Sequence, residues 1–299
     1  MSLKAKATWM AAAIAGLLAM FALVRVASVR EPSYHGRTLR EWIGDPTAWS
    51  AGSNRRKPLT PKEAPRGSRL LSLSDVPVLQ ALQAMGANAI PVLVEELQVH
   101  DSVCRLWWNH YLAGKLPMNP WPLIKSGERK AAATDALIFL APQAQSALPK
   151  LQELLGKKQS APFAARVLIF LGPEGLGTVT NALRTGDSKT KVQMIQGMRL
   201  LQSFGSNKSN SGWGMVRHLS PQELTGITDA VVPCLADCLL DKDPEVQMYA
   251  AHVLGEIGDP RAAPALVAAL RIKNGQVQAL VTAALMKIDP AAATKAGVK

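Results

Sequence analysis

Leucine and small apolar residues recur along the chain at fixed distances from six anchor positions. The anchors are Gly86, Ala141, Gly172, Gly205, Gly258 and Asp289. Leucine stands four positions before each anchor, at Leu82, Leu137, Leu168, Leu201, Leu254 and Leu285. A small or apolar residue stands eight positions before, at Val78, Ala133, Ala164, Gly197, Ala250 and Val281. This spacing predicts six helices, each with one apolar stripe. It also predicts that Gly, or a polar substitute, at the anchor ends the helix in the left-handed conformation.

A second helix is predicted after each of the first five anchors. Several of these segments begin with an apolar-Pro-x-Leu turn, at 90–93, 148–151, 232–235 and 263–266. Proline is tolerated there because the first turn of a helix leaves its N–H groups unpaired. The anchors are 55, 31, 33, 53 and 31 residues apart. Three spacings fit one helical hairpin, and the two long ones each contain an insertion of about twenty residues, at about 102–127 and 206–226.

These patterns predict an all-α fold, a right-handed α-α superhelix of five to six helical hairpins over residues 70–299. The composition agrees, because 48% of the residues are apolar but only 5% are aromatic. Alanine and leucine dominate the apolar share, and both favour helices. The β-branched and aromatic runs that are typical of sheets are scarce.

A single hydrophobic segment lies near the N-terminus. Residues 7–24 carry no charge and follow a basic region at 1–6 that contains Lys4 and Lys6. Eighteen residues are close to the lower limit for crossing a bilayer. We interpret the segment as an uncleaved signal anchor, with a cleaved secretory signal or a buried helix as alternatives. The expected location is the membrane, single-pass, with the repeats on the extracytoplasmic side or, after cleavage, secreted.

Residues 25–69 are rich in proline and arginine and are predicted to be a linker. One segment within it has helical features near 38–44. Thr38 is a candidate N-cap with Glu41 three residues later, and an apolar face follows at Leu39, Trp42 and Ile43. The segment resembles a Tyr-x-Gly…Leu-x-x-Trp motif found before the repeats of anchored bacterial HEAT proteins. Either it is a docking motif, or it is a short helix that caps the open end of the stack.

The net charge of +12 is unevenly distributed. Residues 1–69 contain 12 Lys and Arg against 4 Asp and Glu, whereas residues 70–299 contain 22 against 18. Most of the excess therefore lies beside the hydrophobic segment, as in a membrane-proximal region. A basic stretch beside a hydrophobic span is less typical of a nucleic-acid footprint, so nucleic-acid binding through the basic linker is the less favoured alternative.

No catalytic, cofactor-binding or metal-ligating constellation is evident in the sequence. The five histidines are scattered, and no phosphate-binding glycine loop or nucleophile elbow occurs. Cys234 and Cys238 are four residues apart on a predicted helix, so they form either a thiol or metal pair or part of an apolar core stripe. An acidic cluster at Asp237, Asp241, Asp243 and Glu245 is interpreted as a solvated turn before a helix, with a cation site as the alternative.

The repeat near the C-terminus resembles a known family. Residues 243–247 and 250–262 are similar to the HEAT-like repeat of the phycobilisome-lyase type. The resemblance covers about 70–299, is strongest over 241–287, and implies the fold more than the function. Iron-dependent hydroxylases of this fold carry His-Glu dipeptides, and here the corresponding position is His252-Val253. The sequence therefore argues against an iron-dependent hydroxylase.

The function expected from the sequence is a membrane-anchored, non-enzymatic scaffold that binds protein partners on the solenoid surface. The alternative is an accessory enzyme of the chromophore-lyase type with a pocket between repeats. The insertions are candidate binding elements because aromatic residues on loops are good interface anchors. The insertions contain Trp107, Trp108, Tyr111, Trp121 and Trp213. The same residues could instead cover a groove between helices.

Overall fold

The structure is a computed structural model that describes residues 31–49, 76–100, 126–198 and 221–297. These residues form thirteen α-helices: α1 (Leu39–Ile43), α2 (Pro77–Met85), α3 (Ile90–Glu96), α4 (Ser126–Phe139), α5 (Leu148–Leu154), α6 (Ala161–Phe170), α7 (Pro173–Thr185), α8 (Ser188–Met198), α9 (Pro221–Cys238), α10 (Pro244–Ile257), α11 (Ala263–Ala269), α12 (Gly275–Ile288) and α13 (Pro290–Lys295). The regions predicted as 1–6 and 7–24 lie outside the described residues. So do most of the linker and most of both insertions.

A small N-terminal unit precedes the stack and occupies residues 31–49 of the predicted linker. It contains strands β1 (Ser33–Tyr34) and β2 (Arg37–Thr38), which pair antiparallel, with Ser33 opposite Thr38. Helix α1 and a 3₁₀ helix at Pro46–Trp49 complete the unit. Helix α1 packs against α2 and α4, so the N-terminal unit is attached to the first two hairpins.

The remaining helices form two layers of six. The first layer contains the first helix of each hairpin, in the order α2, α4, α6, α8, α10 and α12, and each packs against the next. The second layer contains α3, α5, α7, α9, α11 and α13. Its first five helices pack against the first-layer helix that follows them, and α13 packs against α12. The predicted all-α solenoid of five to six hairpins is therefore confirmed, whereas its handedness stays a prediction.

The predicted apolar stripes form the core between the layers. The five anchor-minus-four leucines that the structure describes are 0% exposed: Leu82, Leu137, Leu168, Leu254 and Leu285. The small residues at anchor-minus-eight lie where neighbouring first-layer helices approach. A Cβ placed on Gly197 of α8 would lie 3.0 Å from the Cβ of Ala165 in α6. Asp135 of α4 and Arg166 of α6 each stand six positions before their anchor and form an ion pair, which indicates that these neighbouring first-layer helices run parallel.

The predicted left-handed helix end occurs at Gly258, with φ +74° and ψ +19°. Gly86 and Gly172 also have positive φ, +54° and +98°, but their ψ values of −136° and −166° lie outside the left-handed helical region. Gly205 lies outside the described residues. The prediction is wrong for the polar anchor Asp289, and it did not extend to the apolar anchor Ala141. The helix before Ala141 ends at Leu140 with φ −86°, and Asp289 has φ −144°. A residue with a Cβ finds the left-handed region costly, so the chain leaves these helices through a 3₁₀ turn and an extended residue instead.

The fourth second-layer helix begins earlier than predicted. Its Pro233 was expected in the first turn, but α9 begins at Pro221 and continues through Pro233. The exposed Pro233 ring removes one internal hydrogen bond, and tertiary contacts of α9 with α7 and α10 outweigh that loss. Residues 221–226, predicted as insertion, therefore belong to α9. Residues 126 and 127 likewise belong to α4.

One apolar helical stretch in the described residues, Pro77–Glu96, is long and apolar enough to cross a membrane by length and composition alone. It is not one straight helix, because Gly86 and the 3₁₀ turn Gly86–Ala89 separate α2 from α3. More than half of its most apolar window is buried inside the protein, at 56%. We therefore assign this stretch to the core of the first hairpin.

Candidate functional site

The N-terminal unit is held together by the residues of the Tyr-x-Gly…Leu-x-x-Trp motif. His35 and Gly36 form the hairpin turn with φ values of +48° and +74°, as a two-residue turn with the strand twist requires. The indole Nε1 of Trp42 donates to the carbonyl of Tyr34 at 3.0 Å. The guanidinium of Arg37 lies 4.4 Å from the centre of the Trp42 ring.

The predicted capping box at the start of α1 is confirmed. The Glu41 N–H donates to Thr38 Oγ1 at 3.4 Å, and the Thr38 N–H donates to Glu41 Oε2 at 2.7 Å. Leu39, Trp42 and Ile43 are buried. Because the apolar residues of the motif are used inside the protein, the capping interpretation is favoured over an exposed docking motif.

A buried carboxylate joins the N-terminal unit to the stack. Glu96, at the end of α3, is 1% exposed. Its carboxylate contacts Arg40 Nε at 2.6 Å and Arg129 Nη2 at 2.6 Å. The Glu31 carboxylate accepts a hydrogen bond from the Arg40 backbone N–H at 2.7 Å. The Arg40 guanidinium also contacts the exposed Glu95 carboxylate at 3.0 Å. This network fixes the first described residue, Glu31, against the junction of α3 and α4.

The connections between successive hairpins lie along one edge of the stack. The Ser160 hydroxyl donates to the carbonyl of Leu97 at 2.7 Å, and Lys157 Nζ donates to Gln98 Oε1 at 3.0 Å. Lys191, in the first turn of α8, contacts Asp241 of a later connection at 2.6 Å. We call this side the connection edge, formed by residues 97–100, 155–160, 186–191, 239–243 and 270–274.

The turns inside the hairpins lie along the opposite edge. Gln145 Nε2 donates to the carbonyl of Leu171 at 2.5 Å. A Cβ placed on Gly86 would lie 3.3 Å from Gln143 Oε1. Turns of neighbouring hairpins are therefore in contact. We call this side the turn edge, formed by residues 86–89, 141–147, 171–174, 257–262 and 287–290.

The two edges carry opposite net charge. The described connection edge has seven Lys and Arg against three Asp, a net of +4. The described turn edge has two Lys and Arg against three Asp and Glu, a net of −1. Five cations of the connection edge are exposed and form no ion pair within the described residues: Lys158, Lys189, Lys242, Arg271 and Lys273. This asymmetry was not visible from the total charge of the repeats.

A second buried ion pair crosses the first layer. Arg166 Nη2 of α6 lies 2.8 Å from Asp135 Oδ1 of α4, and their side chains are 9% and 2% exposed. Arg166 Nε is buried without a hydrogen-bond partner. Burial raises the pKa of Asp135 to about 7, although the neighbouring Arg166 lowers it. Burial also lowers the pKa of Arg166, against the effect of Asp135. Both pKa shifts indicate that the desolvation penalty of this pair exceeds the stabilisation from its mutual attraction.

The core interpretation of the two helical cysteines is confirmed. Cys234 and Cys238 are 1% and 3% exposed and are free thiols. The Cys234 thiol donates to the carbonyl of Ala230 at 3.3 Å. Burial raises the pKa of the Cys238 thiol to about 11, so it remains protonated at neutral pH. The pair is part of the apolar face of α9.

The acidic cluster caps a helix and supports a connection. Asp243 Oδ1 accepts from the Glu245 N–H at 2.9 Å at the start of α10. Asp241 Oδ1 accepts from the Asp243 N–H at 3.0 Å. A hydrogen bond to Asp241 raises the pKa of Lys191. These contacts agree with the predicted turn and helix N-terminus.

Histidine and carboxylate side chains are dispersed in the described parts of the chain. No group of three His, Cys, Asp or Glu residues in those parts could hold a metal ion. His252 contacts Glu256 on the same helix at 3.1 Å, and His35 lies in the hairpin turn. No catalytic, cofactor-binding or metal residue was predicted. The aromatic residues of both insertions lie outside the described residues.

The two layers differ in the surface that they offer. In α6, and in α4 beyond its first turn, most side chains are buried. Between Lys130 and Leu140 only Ala131 and Phe139 are half-buried, and the other residues are buried. The second layer is exposed over the same hairpins, with Gln152 in α5 and Asn181 in α7 open to solvent. Gln152 Nε2 donates to Thr178 Oγ1 at 3.0 Å across two hairpins. The accessible face of the central solenoid is therefore the second layer.

Sequence reasoning missed both buried ion networks. Asp135 and Arg166 each interrupt an otherwise apolar helix, in the runs Ala132–Ala133–Thr134–Asp135–Ala136 and Ala164–Ala165–Arg166–Val167. A charge on the apolar face of a helix indicates a buried partner. That signal was available, but only the structure identifies which charges meet.

Comparison with known proteins agrees with this architecture. A family model described as HEAT repeats matches residues 214–286. Residues 214–286 are therefore similar to HEAT repeats, within an all-α solenoid. An engineered protein of known structure is 19% identical, with 68% of this chain and 90% of that chain covered and a TM-score of 0.35. A designed armadillo repeat protein in complex with the peptide (KR)4 is 17% identical, with 74% and 96% covered and a TM-score of 0.37. No curated protein matches the sequence.

Proposed function

We propose that this HEAT-type solenoid is a membrane-anchored scaffold that binds protein partners along its second layer and catalyses no reaction. The accessibility of the two layers carries the proposal. In the central hairpins α6 and residues 130–140 around the end of α4 are mostly buried, whereas α5 and α7 expose polar side chains. Stacked repeats offer an extended surface of this kind to partners. Over these two hairpins a protein partner would therefore contact Gln152, Thr178 and Asn181 of the second layer.

The membrane anchor in this proposal is residues 7–24. The uncharged segment and the basic residues before it support insertion. Localisation on the extracytoplasmic side follows the usual outcome for an N-terminal signal anchor. Flotation of the full chain with vesicles, before and after alkaline extraction, tests this part. Release of the protein by alkali would contradict a membrane-spanning anchor.

The partner-binding surface is tested with a photo-reactive amino acid in the full-length protein. It is placed at Asn181 or Asp237 on the second layer, which are both exposed, and at the exposed Ala279 of the first-layer helix α12 as the matched control. We expect discrete crosslinked proteins from the two second-layer positions and none from Ala279. Equal crosslinking from all three positions would contradict a second-layer site.

The alternative proposal, an accessory enzyme of the chromophore-lyase type, makes a different prediction in the same preparation. An enzyme with a pocket between repeats would be purified with, or would bind, a tetrapyrrole, whose visible absorption is measured directly. Stoichiometric absorption that co-elutes with the protein would replace the scaffold proposal. Protein crosslinks without such absorption support the scaffold.

A further inference from the structure

The N-terminal end of the described residues lies beside the connection edge. Glu31 is the first described residue, and its carboxylate is bonded to Arg40. Arg40 is bonded in turn to Glu96, where the α3–α4 connection begins. Between the end of the apolar segment at residue 24 and Glu31 there are only six residues. At about 3.3–3.6 Å per residue, those residues span at most about 25 Å.

The same edge carries a row of exposed cations. Five of its cations, from Lys158 after the second hairpin to Lys273 before the last, are exposed and form no ion pair within the described residues. They are distributed over successive connections, so they form a row and not a single patch. The described residues of the turn edge, on the far side of the same helices, have a net charge of only −1.

We propose that the connection edge is a membrane-apposed surface that rests on anionic lipid headgroups. The inference rests on the proposed anchor and adds an orientation to it. The short N-terminal span brings the edge at Glu31 to the bilayer, and the row of cations extends the contact along the stack. Each Lys or Arg near an anionic surface strengthens binding by about fivefold. In this orientation the second-layer face points neither toward the membrane nor away from it, and it remains accessible to partners from the side.

Energy transfer from the two edges to the bilayer tests this orientation. A donor dye is attached to Gln159→Cys on the connection edge or to Ser146→Cys on the turn edge, and both residues are exposed members of the second hairpin. Cys104 is replaced by serine, and the two cysteines of α9 are buried. The full-length protein is reconstituted into phosphatidylcholine vesicles that contain phosphatidylglycerol and a headgroup-labelled acceptor lipid.

We expect transfer from Gln159→Cys to exceed transfer from Ser146→Cys by at least about twofold. The two positions are separated by about the length of a first-layer helix, roughly 20 Å. The excess should fall in vesicles of phosphatidylcholine alone, and at about 1 M salt, where the screening length is about 3 Å. Equal transfer from both positions in a protein that floats with the vesicles would overturn the orientation and leave the anchor intact. Failure to float would overturn the anchor and, with it, the inference.

Charge variants separate this surface from a general effect of net charge. Lys158→Gln with Lys273→Gln removes two cations of the connection edge, and Lys150→Gln with Lys287→Gln removes two from elsewhere. We expect the first pair to reduce the transfer difference by at least about twofold and the second pair to leave it unchanged. Equal effects would overturn the assignment. If duplex DNA at physiological salt abolished the difference in energy transfer, the connection edge would be a nucleic-acid surface instead. That result would also overturn the membrane-apposed orientation.

Discussion

Arg166 Nη2 of α6 lies 2.8 Å from Asp135 Oδ1 of α4, and neither side chain is more than a tenth exposed. This ion pair joins two parallel first-layer helices in the middle of the solenoid. Its geometry is incomplete, because the contacting Asp135 oxygen and Arg166 Nε have no hydrogen-bond partner. A buried pair with unsatisfied atoms contributes little net stability, but it makes each partner dependent on the other.

Removing one member of this pair should therefore be far more costly than removing both. At about pH 8, Asp135→Leu or Arg166→Met alone should lower the free energy of unfolding by about 3–5 kcal/mol. The double variant should lie within about 1 kcal/mol of the wild type or be more stable. Urea denaturation followed by circular dichroism measures all four proteins. Additive losses in the double variant would show that the pair stabilises the fold outright.

The stability of the protein should fall as the pH rises toward neutrality. Burial raises the pKa of Asp135 in the folded state to about 7, from 3.8. Between these values the folded chain keeps a proton that the unfolded chain has lost, so rising pH favours unfolding. The fall amounts to at most about 1.4 kcal/mol per pH unit and levels off above the folded pKa. In Asp135→Asn this contribution should be absent, and urea midpoints across the window measure the difference. An equal fall in both proteins would assign it to other groups.

The attachment of the N-terminal unit should depend on Glu96 and not on its neighbour. Glu96 is 1% exposed and bonded to two arginines, whereas the side chain of Glu95 is 52% exposed. Glu96→Gln should cost about 1.5–3 kcal/mol, because it replaces the buried carboxylate by a neutral amide and weakens its contacts with Arg40 and Arg129. Glu95→Gln should cost no more than about 1 kcal/mol. The rate of tryptic cleavage at Arg40 in native protein reports detachment. Equal cleavage rates in the two variants would assign the attachment to apolar packing alone.

The sequence was sufficient for the solenoid but not for its surfaces. Leu137 and Leu168 identify the core because a helical stripe of leucines has only one stable location, between the layers. The prediction for Asp289 was wrong, because the left-handed conformation is costly for a residue with a Cβ. The connection edge could not be predicted from charge alone. Lys158 and Lys273 are more than a hundred residues apart, and only parallel first-layer helices bring their connections to one side.

The close approach of α10 and α12 should make Gly255 intolerant of any side chain. A Cβ on Gly255 would lie 2.8 Å from the Cβ of Ala284 and 3.0 Å from its Cα. Gly255→Ala should therefore force the two helices apart and cost about 1–3 kcal/mol, despite the better helix propensity of alanine. Gly226→Ala is the matched control, since Gly226 is helical and a Cβ there would meet nothing within 4 Å. That variant should gain about 0.5–1 kcal/mol from propensity alone. Urea midpoints that move in the same direction for both variants would show that α10 and α12 have room to adjust.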